Sequence, residues 1–133
     1  MAGELDAFLE RMAATPFEDG VCDCVLNVAD WIVACGYHDP AEPYRGRYKT
    51  ALGRERLLKR HGGLQAVVEA GAERSGLFLT RDPVRGDVAL VRAYGQTFAA
   101  ICVGRGWAIK SKMGLTVIRW PDEVLRAWRV AHG

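Results

Sequence analysis

The sequence predicts an α+β domain in which N-terminal helices pack on a small antiparallel sheet of about four to five strands. Three observations point there. Up to residue 75 the apolar residues recur at helical spacing. Beyond Gly76 they fall into short runs of β-forming residues separated by glycine-containing turns. With 133 residues, half of them apolar, the chain has the size of one domain and the material for a single core. Residues 1–133 therefore read as one domain, helical over about 1–75 and sheet-forming over about 85–130.

In chain order, residues 3–13 place Leu5, Phe8, Leu9 and Met12 on one face of a short helix, which Thr15, Pro16 and Gly20 break. Residues 24–35 form a second helix, entered through Asp23. It carries Cys24, Val28, Trp31, Ile32 and Cys35 on one face, and Gly36 is placed to stop it. The segment HDPAEPYRGRY holds too much proline and glycine for a long regular element. Residues 50–61 make a third helix, ended by Gly62-Gly63, and 64–74 a fourth. Strands are expected over 87–91, 97–103, 106–110 and 114–119, with Gly104-Arg105-Gly106 as a tight hairpin connection. The last segment, PDEVLRAWRV, opens on Pro121 and reads equally as a helical turn or an edge strand.

Charge is divided along the chain. Residues 1–42 carry nine acids and one base, whereas 43–133 carry seventeen bases and seven acids. The expectation is that the two parts neutralise each other within one fold, and nucleic acid is not an expected partner. The run Arg54-Glu55-Arg56…Lys59-Arg60 reads as the wet face of the third helix, with Leu57 and Leu58 on its dry side. No apolar stretch approaches the ~20 residues of a membrane span. The N-terminus lacks a basic region followed by an apolar run, so synthesis in a cytoplasm is expected.

Four cysteines in such a chain read as thiols rather than a disulfide framework. Cys22, Cys24, Cys35 and His38 do not have the spacing of a common zinc site. Cys24 and Cys35 are also set about 16 Å apart by a helical rise of 1.5 Å per residue. No metal or other cofactor is expected. Arg85-Gly86-Asp87 spells an adhesion tripeptide but belongs to a strand entry.

The sharpest chemical feature is Asp23-Cys24 at a helix start, because the first amides of a helix lack internal partners and carry partial positive charge. A thiol there is favoured as thiolate, the nucleophilic form. The bland reading of Cys24 is a small buried hydrophobe. The stretches GVCDCVLNVADWI, RGDVALV and FAAICVGRGWAI resemble the NlpC-type cell-wall peptidases, a compact papain-like fold. The DC…ADW pattern, the loop DPAEPYRGRY, the GD strand and the terminal AWRV are similar to a family of small proteins. That family is encoded in phages, prophages and gene-transfer-agent-like clusters near tail-tip genes.

The resemblance implies that Cys24 is the nucleophile of a thiol hydrolase directed at peptidoglycan peptides, with Asp23 beside it and helix-start amides holding the oxyanion. It also implies a base, a His at the start of the second strand in the pattern H-x-G-I-x-x-G. The matching stretch here begins at Phe98, which cannot accept a proton. His61 replaces that base only if tertiary packing brings it to Cys24. His38 lies about 20 Å away along a helix axis, and His132 is penultimate. The alternative reading is a catalytically inactive assembly module of the same fold, binding phage tail-tip or hub proteins, made in the host cytoplasm and carried in the virion tail. Candidate binding residues are Tyr44, Arg45, Arg47 and Tyr48, where the two Arg suit carboxylate forks or loop anchoring. Gln96 is placed to orient a water or ligand.

Overall fold

The structure, a computed structural model, describes residues 2–130. His132 lies outside the described residues. Four helices come first: α1 (Ala2–Ala14), α2 (Leu26–Ala34), α3 (Ala51–Arg60) and α4 (Leu64–Ser75). Six strands follow: β1 (Phe78–Leu79), β2 (Val88–Ala93), β3 (Gln96–Cys102), β4 (Trp107–Ser111), β5 (Gly114–Ile118) and β6 (Glu123–Arg129). They form one antiparallel sheet in the order β1-β6-β2-β3-β4-β5.

The α+β layout is as expected, but the sheet is larger than four to five strands. The segment after Pro121 is neither a helical turn nor an edge. It is the seven-residue β6, inserted between β1 and β2 with Val88 opposite Trp128. Its Pro-Asp-Glu opening imitates a helix start, and only pairing with a strand some forty residues earlier decides the matter. The two-residue β1 then forms the sheet edge.

Leu57 of α3 packs against Leu26 and Ala29 of α2, whereas α1, α2 and α4 bury apolar residues on one sheet face. Leu5 and Phe8 of α1, and Val28, Trp31 and Ile32 of α2, meet Leu90, Ile101 and Trp128 there. On the other face Ala89, Val91 and Ala100 are covered by Trp107 and Ile109 of β4 and Ile118 of β5. This second cluster forms because β4 pairs with β3 only at Ile101–Ala108 and Cys102–Trp107 before diverging from it. Gly106 makes the close approach feasible: a Cβ there would lie 2.9 Å from Val117 Cγ1 and 3.0 Å from the Ile118 carbonyl oxygen.

Two buried polar groups lock elements together. Lys110 of β4, 1 % exposed, donates from Nζ to the carbonyls of Met12 and Thr15. It thereby satisfies the C-terminal end of α1, where helix carbonyls have no internal partner. Asp87, in the tripeptide above, is fully buried; its carboxylate accepts from Val84 N, Val130 N and Arg129 Nε at 2.8, 3.0 and 2.9 Å. Trp31 Nε1 donates to the Gly86 carbonyl at 2.8 Å, tying α2 to the strand entry. The acidic first third and the basic remainder do meet, through Asp6–Arg85, Asp19–Arg54 and Asp30–Arg45.

Candidate active-site cleft

Asp23 builds the entrance of α2. Its carbonyl accepts from Asn27 N at 2.9 Å, so the first helical bond already starts there, three residues before the regular helix begins at Leu26. Its Oδ1 accepts from Val25 N and Leu26 N at 3.0 and 2.9 Å, the bonds of a helix N-cap. Its Oδ2 accepts from Gly20 N at 2.9 Å and from the Tyr48 hydroxyl at 2.6 Å. Gly20 has φ +86°, and a Cβ there would sit 2.1 Å from the Tyr48 carbonyl oxygen. The expected start of the helix at Cys24 is thus replaced by a capping turn over 23–25. In it Asp23 is a fully buried structural acceptor whose oxygens are occupied by four donors.

Cys24, next in the chain, is half-buried and lines a cleft of about 860 Å³ between α3 and the first half of β3. Its thiol pKa is raised above the ordinary 9.0. Burial is the main cause, opposed by the Arg54 guanidinium and by the backbone N–H of Cys24 itself. Burial therefore outweighs the helix-start amides that favour a thiolate. Phe98 lines the same cleft and, like Cys24, packs against the second apolar cluster. Gln96 is also in the cleft wall.

Other expected site residues are placed elsewhere. His61 does not line the cleft; its ring meets Tyr44 edge-on with centroids 5.2 Å apart. His38 Nε2 pairs with Glu42 at 2.8 Å. Arg45 is a loop anchor, its Nε 2.7 Å from Asp39 and its Nη2 2.8 Å from Asp30 of α2. Tyr48 is buried on Asp23, and burial followed by that hydrogen bond pushes its hydroxyl pKa far up. Arg47 is exposed.

Sequence reasoning missed Arg54. Read as part of a wet helix face, it is instead largely covered, bonded to Asp19, and the cation that acts most on Cys24. Its neighbours Arg56 and Lys59 also line the cleft. No periodicity signals this, because all three look like solvated helix charges until β3 is laid beside them. Among the described residues no group of three or more His, Cys, Asp or Glu is arranged to hold a metal ion, and no helix is long and apolar enough to cross a membrane.

The thiols share one pH consequence. Burial raises the pKa of Cys22, Cys24, Cys35 (to about 11) and Cys102, as it does that of Tyr48. The folded chain therefore holds these protons more tightly than the unfolded one. Their contribution to stability is intact below about pH 9 and is lost as pH rises through the folded values. Thermal unfolding under reducing conditions should show a steady melting temperature from pH 7 to 8.5 and a falling one above pH 9. A flat profile to pH 10.5 contradicts the burial of these groups.

No curated protein and no solved structure matches the chain. One family model does, over residues 2–130, which span every helix and strand described above. The chain belongs to that family, described as a domain of unknown function (DUF6950).

Proposed function

We propose that this is a papain-like, NlpC-type domain that binds peptides without cutting them and serves as an interaction module at a phage or phage-like tail tip. The observation that carries this reading is that Phe98 and Cys24 line one cleft and pack against the same apolar cluster, with Phe98 at the position on β3 that matches the His of the resembling peptidases. Thiol catalysis needs a base within hydrogen-bond reach of the sulfur. Phenylalanine supplies none, and burial keeps the proton on Cys24. The Asp-Cys pair at the entrance of α2, the Gly-Asp pair before β2 and the resemblance of the Arg-Tyr loop to tail-associated proteins support the fold and the setting.

One observation favours the hydrolase reading: Cys24 sits in the capping turn that leads into α2 with Arg54 nearby, a place suited to an oxyanion. Alkylation separates the two. Iodoacetamide should label native Cys24 more slowly than denatured protein, with an apparent pKa above 9, and peptidoglycan fragments should remain intact. Rapid labelling with an apparent pKa well below that of a free thiol, or cleavage abolished by Cys24→Ser, overturns the proposal. As a positive control, Phe98→His should lower the apparent pKa of Cys24 by about one unit or more, since a neighbouring imidazolium stabilises thiolate.

A further inference from the structure

We infer that the cleft takes an extended, acidic segment of a partner protein, paired with the edge of β3 at Thr97. The inference rests on the non-hydrolytic reading above and names its ligand.

The sheet register supplies the first half of the argument. All of β3 from Gln96 to Ile101 pairs with β2, but β4 covers only Ile101 and Cys102. Cys102 N donates to the Asp87 carbonyl on the β2 side at 2.7 Å. Since backbone groups alternate direction along an antiparallel ladder, Thr97 and Ala99 turn their N–H and C=O groups to the other side, away from β2; Ala99 is buried in the first apolar cluster, so Thr97 carries the accessible pair. No strand meets them there. An open edge of this kind pairs with extended peptides, the main chain supplying affinity and alternate side chains specificity. Gln96, Thr97 and Phe98 line the cleft, so this edge borders a cavity with room for a ligand and not bare solvent.

Charge supplies the second half. The α3 wall brings Arg54, Arg56 and Lys59 against a single acid, Glu55. Arg54 is held by Asp19, whereas Arg56 and Lys59 are exposed and have no ion-pair partner among the described residues. Leu52, 60 % exposed, and Phe98 offer apolar contact within the same cleft. A strand laid on β3 would therefore present one set of side chains to two uncommitted cations, which selects Asp or Glu at alternate positions.

The test is an NMR titration of the full chain with three eight-residue peptides alternating Val with Glu, Gln or Lys. The Glu peptide should shift the Thr97 amide, bind more weakly as salt rises, and bind about tenfold more weakly to an Arg56→Glu/Lys59→Glu variant. These exposed positions leave the fold intact, which the unchanged spectrum of the remaining amides checks. Equal binding of the Lys peptide overturns the inference. So do shifts confined to other surfaces, the same shifts with concentration and no peptide, or shifts from peptidoglycan fragments alone. Cleavage of the Glu peptide, lost in Cys24→Ser, would leave the docking mode standing and sink the non-hydrolytic reading instead.

Discussion

Asp23→Ala is expected to lower the unfolding free energy by about 3 kcal/mol, a large part of the 5–15 kcal/mol typical of a domain. One substitution removes both helix-capping bonds and the acceptors of Gly20 N and the Tyr48 hydroxyl. A lost N-cap alone costs about 1 kcal/mol. Each hydrogen bond to a charged group contributes about 1.5–3 kcal/mol, and the buried Tyr48 hydroxyl would be left without its acceptor. Against this runs the relief of a desolvated carboxylate, which holds the total near 3 rather than at the sum of the bonds. Tyr48→Phe, which leaves three of the four donors in place, should cost about 1 kcal/mol. Urea unfolding measures both. A loss below 1 kcal/mol for Asp23→Ala would mean that the capping turn is not what holds the start of α2. Because Cys24 is the next residue, the same variant should also change the alkylation rate of the native thiol.

Asp87→Ala should be as damaging but functionally silent at the cleft. Its carboxylate joins the loop before β2 to the end of β6, through Val84 N, Val130 N and Arg129. Removing it orphans a buried amide and a guanidinium that is otherwise held by Thr80 and the Asp82 carbonyl. The Arg129 side chain is 46 % exposed and water can replace its lost bond, so it is the lost acceptors of the Val84 and Val130 amides that place the expected loss at about 3 kcal/mol. Asp87 lies beyond the Cys102 end of β3, whereas the cleft is at the Gln96 end. Urea unfolding should therefore move while native alkylation of Cys24 does not. An altered alkylation rate at equal folded fraction would show that the two ends of the sheet are coupled.

The contrast between these two aspartates shows how far local pattern reaches. Both Asp23 before an apolar helical stripe and Gly86-Asp87 before a β run are legible in the sequence, and both stand at element entrances in the structure. Their tasks were not legible. The sequence makes Asp23 a neighbour of chemistry at Cys24, yet its oxygens are taken up by Gly20, Val25, Leu26 and Tyr48, the last of them distant enough in the chain to be invisible to periodicity. Arg54 was read as solvated for the same reason: a helix face shows which side is polar, not what will be laid against it.

Helices, turn-bounded strands and the α+β order follow from apolar spacing and turn residues, since those signals act within a few neighbours along the chain. The placement of β6 inside the sheet, the early parting of β4 from β3, the seating of Phe98 beside Cys24 and the turning of His61 onto Tyr44 all depend on contacts between remote segments. Such contacts are chosen by the burial and pairing of the whole chain together. The character of the cleft therefore arises from packing: a thiol at a helix entrance promises a thiolate, and the apolar material folded around Cys24 keeps the proton on the sulfur.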